Sequence, residues 1–317
     1  MTSGSVLVVT EHGDVHAEAM RAVLRRDHGI TPIQIDIRDF PQEFGSYRLS
    51  ASRGSRTIFG SIELDDVRSV WWRRAHPCSI PPSIRSADDA FRQTECDGFI
   101  QGLTWSLPAI WVNNPGAERI ASRKIVQLQA AAEAGFTVPE TLITNDPSEA
   151  ASFIESRPRD VIYKRTGTSR AAEFCETRLV TQRDLARLGS IRTAPTTFQD
   201  YIEAEADLRV VWIAGCEWSV RIDSQSGAGR VDSRIDSSVD FAPYELPSSV
   251  SRSLATLMDK LGLAFGVVDL RLGRDKEIYF LEVNPQGQFA YMEIKTGLPI
   301  FASLANLLVC GHGKVRV

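Results

Sequence analysis

A chain of 317 residues is long enough for a large core and for two or three lobes. Its hydrophobic content of 43% and charged content of 24% are those of an ordinary globular protein, and its net charge of −4 argues against a nucleic-acid binder that depends on broad electrostatic attraction. No apolar run approaches the length of a membrane span, and the first residues lack the charged-then-apolar order of a signal peptide, so we expect a cytosolic protein.

The cysteines and histidines do not form a recognisable metal or catalytic motif. The five cysteines are far apart and form no CxxC pair, which favours reduced, packed thiols over disulfides or a zinc site. His12 and His16 are four residues apart and could share a metal, with only Asp14 and Glu18 to help. We favour ordinary structural positions over a metal site, with the two histidines in a loop and in the first turn of the following helix. No Ser-His-Asp or Cys-His arrangement stands out locally, although such triads are assembled in space.

The first third of the chain predicts a parallel α/β lobe. "SVLVVT" is typical of a buried strand, "HAEAMRAVLRRDHG" of an amphipathic helix that ends at Gly29, and "TPIQIDIRDF" of a second strand. A βαβ opening indicates a parallel, Rossmann-like sheet. The loop after the first strand lacks GxGxxG, so nothing supports a dinucleotide site there. Short strands and turns follow, ending in a strand over "VRSVWWRR".

The rest of the chain predicts two further lobes. An Ala-rich helix, "AERIASRKIVQLQAAAEAGF", has Gly135 at its C-terminal end, and "DVIYKR" is a strand that runs into a loop of small residues. Two strands meet at Ala214-Gly215, a helix follows over "SVSRSLATLMDKLGL", and "AFGVVDLRLGRDKEIYFLEVNP" is a hairpin. We place lobes at residues 1–115, 116–198 and 199–317.

The terminal hairpin carries the strongest functional signal. Glu282 and Asn284 are two positions apart and share a strand face. If the turn centres on Asp275-Lys276, Asp269 lies directly across from Glu282, because facing residues then have numbers that sum to 551. Two adjacent carboxylates repel each other unless a cation lies between them. The hairpin therefore favours a metal site formed by Asp269, Glu282 and Asn284 over a solvated sheet edge.

A series of motifs runs along the chain in a recognisable order: "VLVVTEHGDVHAEAM", "VRSVWWRR", "NNPGAERIASRKIVQLQAAAEAGFTVPETLIT", "VIYKR", "FQDYIEAEADLRVVWIAG", "IDSQ", "GVVDLR" and "FLEVNPQGQFAYMEIKTGLPI". Through these motifs nearly the whole chain resembles the ATP-grasp ligases, and more narrowly the maturases of graspetides, ribosomal peptides of the microviridin type with omega-ester or omega-amide rings. "GVVDLR" and "LEVNP" alone indicate ATP-grasp, whereas "GQFAYMEIKTGLPI" and "VWWRR" indicate the maturases. The resemblance implies an α/β ATP-grasp fold: a Rossmann-like pre-ATP-grasp lobe, a central lobe and a C-terminal antiparallel lobe.

The resemblance also implies a role for individual residues. Lys124 and Lys164 correspond to the lysines that contact ATP, and "FQDYI" to the linker whose backbone pairs with adenine at Tyr201 and Ile202. Either Glu203 or Glu205 could bind the ribose. Gln199 and Asp207 also fall in the implied nucleotide site. The loop at residues 165–170 would cover the phosphates.

Three arginines correspond to cations near the transferred phosphate or the substrate carboxylate: Arg209, Arg221 and Arg234. Arg209 lies in an otherwise apolar strand, where an unpaired buried charge would be costly. Either Arg209 or Arg221 could instead be an ordinary surface arginine. Arg234 belongs to a segment that the family usually reads Asp-Trp-Arg, and Ser233 stands here in place of the Trp, so we expect the local packing to differ from the family pattern.

The reaction that the resemblance implies needs ATP and Mg²⁺ and no nucleophile from the enzyme. A carboxylate of the precursor peptide becomes an acyl phosphate, and a Ser, Thr or Lys side chain of the same peptide displaces phosphate. A leader segment of the precursor would bind to the first lobe and the middle of the chain, with residues 223–247 as the expected location, and the family suggests a homodimer. Two alternatives stay open: a ligase of the glutathione-synthetase or ribosomal-protein glutamate-ligase type, and a nucleotide-binding module without catalysis.

Overall fold

In a computed structural model, the chain is described over residues 4–52, 54–82, 86–167, 176–226, 231 and 239–313. The strands are β1 (Ser5–Val9), β2 (Ile33–Ile35), β3 (Gly45–Ser50), β4 (Gly54–Phe59), β5 (Ile62–Glu63), β6 (Val67–Trp72), β7 (Ile110–Val112), β8 (Thr141–Thr144), β9 (Val161–Arg165), β10 (Arg178–Leu179), β11 (Thr196–Asp200), β12 (Ala204–Ile213), β13 (Cys216–Ile222), β14 (Phe241–Pro243), β15 (Phe265–Gly273) and β16 (Ile278–Asn284). The α-helices are α1 (Val15–His28), α2 (Ser86–Trp105), α3 (Pro115–Ala121), α4 (Lys124–Glu133), α5 (Pro147–Ser156), α6 (Gln182–Leu185), α7 (Ser248–Lys260), α8 (Ala290–Thr296) and α9 (Ile300–Cys310). Within the described ranges, no helix has the length and apolar character needed to cross a bilayer.

The first sheet is parallel, with the strand order β2-β1-β6-β7. β1 is an unbroken apolar run that is almost entirely buried, as strands of parallel sheets usually are. The side chain of Asp14 accepts a hydrogen bond from the His16 N–H and starts α1, and Gly29 ends the helix with a φ of 67°. The predicted βαβ opening is confirmed. An antiparallel meander of β3, β4 and β5 follows it.

The second predicted strand is shorter than expected. The strand expected over residues 31–40 is limited to β2, because the Asp36 side chain accepts a hydrogen bond from the Arg38 N–H at 3.0 Å. This contact starts a 3-10 turn over Ile37–Asp39 and ends the extended backbone.

The predicted Ala-rich helix is two helices. Asn114 caps α3 with Pro115 at its first position, and the extended backbone of Arg123 separates α3 from α4. The Gln127 side chain donates a hydrogen bond to the carbonyl of Ala121, the last residue of α3, at 2.6 Å. The junction therefore places Lys124 at the start of a helix rather than in the middle of one.

The second sheet is antiparallel, with the order β10-β9-β11-β8. Its own small core contains Ala150, Val161, Ile191 and Phe198. β11 continues through the linker 201–203 into the third sheet. The boundary predicted between residues 198 and 199 lies within β11, and the division into three lobes stays a prediction.

The third sheet, ordered β14-β13-β12-β15-β16, is antiparallel and has two different faces. One face packs on α4 and α7 through a cluster that includes Leu208, Val210, Leu270, Ala131 and Leu254. The other face, which we call the site face, carries Val211 and Val267 at one end, where it packs on α8 and α9. The predicted turn at Ala214-Gly215 is confirmed, with φ values of 43° and 91°.

The C-terminal helices join the third sheet to the first lobe. Met20 and Leu24 of α1 belong to the same buried cluster as Leu304 and Leu308 of α9. This cluster also contains residues of β1, β7 and the site face, so the first lobe packs directly against the third sheet. The side chain of Asn113, after β7, donates hydrogen bonds to the carbonyls of Phe265 and Pro285.

Candidate active site

The two predicted carboxylates face each other at the centre of the site face. Asp269 on β15 lies directly opposite Glu282 on β16, so the predicted pairing is confirmed. Nearer the turn the register differs by one residue from the predicted one, and Leu272 pairs with Ile278 instead of Tyr279. A β-bulge between the turn and the carboxylates accommodates one extra residue of β16 and restores the predicted pairing.

Two cations extend this pair into a row of alternating charge. Arg209 on β12 pairs with Asp269, and its Nη1 lies 2.7 Å from Oδ1. Lys124, the first residue of α4, places its Nζ 2.6 Å from Oε2 of Glu282. The cation side chains are 13% and 11% exposed and the carboxylates 23% and 32%, so a ligand from solvent meets the carboxylates first. We call Arg209, Asp269, Glu282 and Lys124 the charged row.

Arg209 is held from several sides. Its Nη2 donates a hydrogen bond to the Gln288 carbonyl at 3.1 Å, and its guanidinium lies 5.8 Å from the ring of Tyr291. Burial is the largest influence and lowers the pKa of Arg209, but the charge and hydrogen bond of Asp269, together with Tyr291 and Glu282, outweigh it and raise that pKa above its usual value. Arg209 therefore presents a fixed positive charge beside the carboxylates.

Asn284 completes the predicted set of oxygen donors at the end of β16. Its side-chain oxygen accepts a hydrogen bond from the Gln286 N–H at 3.0 Å, and the Gln286 side chain donates to Glu118 on α3. An amide oxygen has a second lone pair, so Asn284 can hold this turn and still bind a cation. Two carboxylates and an amide oxygen are donors that Mg²⁺ accepts, and the residues present fit such an ion. Their role as ligands stays a prediction.

A second ion pair lies farther along the site face. Asp207 on β12 pairs with Arg271 on β15, with N–O distances of 2.8 and 3.2 Å, and both side chains are buried. Arg271 also donates to the Ile202 carbonyl at 3.4 Å and lies 5.8 Å from the ring of Tyr201. The contact of Asp207 with the nucleotide stays a prediction. The sequence interpretation missed Arg271, although it follows Asp269 by two positions and must share its face.

Lys164 and Gln199 meet on the second sheet. The Lys164 Nζ donates to the Gln199 side-chain oxygen at 2.9 Å, and the Gln199 amide donates to the Thr141 hydroxyl at 2.7 Å. Gln199 is fully buried, so it can fix the position of the Lys164 ammonium group. Of the predicted phosphate-covering loop, residues 165–167 are described and residues 168–170 lie outside the described ranges.

The linker between the second and third sheets borders a cavity of about 430 Å³. The cavity is lined by Tyr201, Ile202, Glu203, Arg274, Asp275 and residues 158–160. Its volume is in the range that small ligands occupy. The Tyr201 N–H donates to the Asp160 carbonyl at 2.7 Å, so in this arrangement it is not available to a nucleotide base. Glu203 borders the cavity, whereas Glu205 pairs with Arg221 and Lys276.

Several solved protein structures are similar to this chain. Neither a family model nor a curated protein matches the sequence. A RiPP-associated ATP-grasp ligase from Chryseobacterium gregarium, solved with ADP and a leader and core peptide, is 24% identical over 99% of this chain and 100% of that chain, with a TM-score of 0.86. The macrocyclase MdnC from Microcystis aeruginosa MRC, bound to the precursor peptide MdnA, is 27% identical over 96% and 99%, with a TM-score of 0.83. The ATP-grasp ligase PsnB, complexed with a minimal precursor, Mg and ADP, is 22% identical over 98% and 99%, with a TM-score of 0.79.

The chain has the ATP-grasp fold. The predicted fold class is confirmed by these matches. Three members of the charged row, Arg209, Asp269 and Glu282, lie on the third sheet of this fold, Lys124 lies at the start of α4, and Lys164 lies on the second sheet.

Not all the arginines predicted for the ATP-grasp site lie together. Arg221 pairs with Leu208 on β12, whereas Arg209 pairs with Val220, so Arg221 projects from the opposite face of the sheet. Its guanidinium contacts Glu205 at 3.2 Å. Arg234 lies outside the described residues, as does most of the segment 227–238, which belongs to the stretch 223–247 predicted to bind the leader.

The two histidines considered as metal ligands make different contacts. His12 lies in the loop after β1, with its Nε2 3.0 Å from both carboxylate oxygens of Asp39. Single atoms of His12, Asp36 and Asp39 lie within 4.8 Å of one another, but Arg38 already pairs with Asp36, so we assign no metal there. His16 lies in the first turn of α1, as predicted, and is buried against α8.

Proposed function

We propose that this chain is an ATP-dependent ligase that activates Asp or Glu side chains of a ribosomal precursor peptide as acyl phosphates and closes ester or amide rings with Ser, Thr or Lys side chains. The observation that carries the proposal is the charged row, with its facing carboxylates, in an ATP-grasp fold. The likeness to a macrocyclase solved with its precursor peptide favours this function over a ligase of the glutathione-synthetase type.

ATP and Mg²⁺ are the cofactors of this reaction, and three residues of the hairpin would hold the metal: Asp269, Glu282 and Asn284. When bound, Mg²⁺ supplies positive charge to the phosphate oxygens. Lys124 and Arg209 already lie within hydrogen-bond distance of these carboxylates. With a metal held by the carboxylates, Lys124 and Arg209 would stay beside them and add positive charge next to the transferred phosphate, where negative charge develops.

The nucleotide lies between the second and third sheets in this proposal. Lys164, positioned by Gln199, contacts the phosphates from the central sheet. The adenine lies against the linker, where the Tyr201 carbonyl and the Ile202 N–H are the backbone groups assigned to it, and Glu203 binds the ribose. The buried Asp207–Arg271 pair supports the linker through the hydrogen bond of Arg271 to the Ile202 carbonyl.

The chemistry follows from charge and position. A carboxylate oxygen of the peptide attacks the γ-phosphorus of ATP, the bond to the β-phosphate oxygen breaks, and ADP leaves. A hydroxyl or amine of the same peptide then attacks the acyl carbon, phosphate leaves, and the attacking group releases a proton. Each ring removes one water from the peptide overall, and no residue of the enzyme forms a covalent intermediate.

The assembly and location complete the proposal: the chain binds the leader of the precursor, acts in the cytosol and forms a homodimer. Among the described cysteines, Cys78, Cys96 and Cys310 are free thiols, as in proteins of reducing compartments. Large apolar side chains are exposed on the first lobe, namely Phe91 (66%), Trp105 (42%) and Ile110 (44%), and a second copy could cover them. Light scattering should give twice the chain mass of 35.1 kDa, and a monomer at micromolar concentration would exclude the dimer.

The decisive experiment is to incubate the protein with ATP, Mg²⁺ and a precursor encoded beside it, a short peptide rich in Thr, Ser, Asp and Glu. Mass spectrometry should detect the loss of one water mass for each ring, with one ATP consumed per ring. ATP turnover with a free amino acid, and no change in the mass of the peptide, would refute the proposal and favour the small-molecule ligase.

A further inference from the structure

His16 connects the first lobe to the backbone beside the charged row. Its Nε2 accepts hydrogen bonds from the N–H groups of Phe289 and Ala290, at 3.0 and 3.1 Å, at the start of α8. His16 is 4% exposed. Burial, with a further contribution from Arg73, lowers the pKa of His16 to about 4. The ring is therefore neutral near pH 7, and Nε2 is available as an acceptor.

The other side of the same backbone segment contacts Arg209. The Gln288 carbonyl, one residue before Phe289, accepts the hydrogen bond from Arg209 Nη2 at 3.1 Å. Nη1 of that guanidinium contacts Asp269 at 2.7 Å. Three consecutive residues, Gln288–Ala290, are thus held between a side chain of the first lobe and a side chain of the charged row. Asn113 of the first lobe binds the same loop three residues before this segment, by donating a hydrogen bond to the Pro285 carbonyl at 3.1 Å.

We propose that His16 is a positioning residue for the metal site, and this inference rests on the proposed function. By fixing the backbone at Gln288–Ala290, His16 sets the place of the Gln288 carbonyl, which in turn orients Arg209 against Asp269. The metal site is then held by the first lobe, although the predicted metal ligands all lie on the terminal hairpin. His16 itself does not touch the nucleotide or the metal.

A purely structural role for His16 is the competing explanation. The ring of His16 packs edge-on against Phe289 at a centroid distance of 5.0 Å, and Phe301 lies 4.7 Å from Phe289, so the aromatic contacts alone could hold the segment. The variant His16→Phe distinguishes the two explanations, because it keeps an aromatic ring of similar size and removes the hydrogen-bond acceptor. His16→Gln keeps an acceptor oxygen and loses the ring.

Calorimetric titration with ADP, with and without Mg²⁺, tests the proposal without any peptide. In His16→Phe, the gain in ADP affinity that Mg²⁺ produces should fall about 10-fold, the lower end of the effect of removing groups that orient metal ligands. The affinity for ADP alone should stay within about twofold, and His16→Gln should retain most of the gain. The matched control is His12→Phe in the exposed loop, which should behave as the unmodified protein.

Two results would overturn the positioning role: an unchanged Mg²⁺-dependent gain in His16→Phe, or an equal loss of affinity with and without Mg²⁺. If neither the unmodified protein nor His16→Phe binds ADP, with or without Mg²⁺, the proposed function itself fails. Should His16→Phe not fold, hydrogen exchange on the unmodified chain decides. Adding Mg²⁺ to the ADP complex should slow amide exchange both at residues 285–291 and in the first turn of α1, and protection confined to residues 285–291 would refute the coupling.

Discussion

Glu282→Gln is expected to reduce ring formation by about 10²–10³-fold, the effect of removing one preorganised charge from an active site. The substitution keeps the size of the side chain and removes the negative charge that faces Asp269 across the hairpin. It also leaves Lys124 without the carboxylate that it contacts at 2.6 Å. We expect binding of the leader peptide to stay nearly intact, because Glu282 lies on β16, at the opposite edge of the third sheet from β14 and the predicted leader-binding stretch 223–247. The measurement is the rate of water loss from the precursor, with leader affinity determined in parallel.

The matched control for this prediction is Glu277→Gln in the same hairpin. Glu277 is exposed, and its carboxylate accepts a hydrogen bond from Thr137. Its replacement should change the rate by less than about twofold, since an exposed carboxylate contributes little. Asp269→Asn should reproduce the defect of Glu282→Gln. Ring formation at the normal rate in Glu282→Gln or in Asp269→Asn would show that the assignment of the metal ligands is wrong.

The centre of the site could be predicted because a hairpin has few degrees of freedom. A strand face repeats every two residues, and one assumed turn fixed Asp269 opposite Glu282. The turn itself was different: the Gly273 N–H bonds the Glu277 carbonyl, and Lys276 adopts a φ of 70°. The predicted pairing is nevertheless correct because the bulge compensates for this turn. Nothing in the spacing of the residues indicated that bulge.

The partners of the carboxylates could not be predicted from local patterns. Lys124 reaches Glu282 across 158 positions of sequence, and His16 reaches Ala290 across 274. Contacts of this kind depend on how the lobes pack, and periodicity carries no information about packing between lobes. Helix α2 was not predicted for a different, local reason. Its apolar residues do not follow a clear helical stripe, and it contains Gly98 and Gly102, which disfavour a helix. α8 has no side-chain cap of its own, and the acceptor for its first N–H groups comes from α1.

Arg271→Met is expected to lower the free energy of unfolding by about 3–5 kcal/mol, the usual cost of leaving one charge of a buried pair without its partner. Asp207 and Arg271 are both 5% exposed, and their side chains are in contact through two hydrogen bonds. Urea denaturation of the purified protein measures this change. The comparison variant is Lys260→Met, which breaks an exposed pair with Glu133 and should cost less than about 1 kcal/mol.

The double variant Asp207→Leu with Arg271→Met separates two roles of Asp207. A well-packed apolar pair often replaces a buried ion pair with little loss of stability, so most of the stability should return. If Asp207 acts through Arg271 and the linker, ADP should then bind with nearly normal affinity. If Asp207 contacts the nucleotide directly, as its position in the family pattern implies, the stable double variant should still bind ADP poorly. An Arg271→Met protein as stable as Lys260→Met would instead mean that solvent already reaches the pair, and the support of the linker by Arg271 would have to be abandoned.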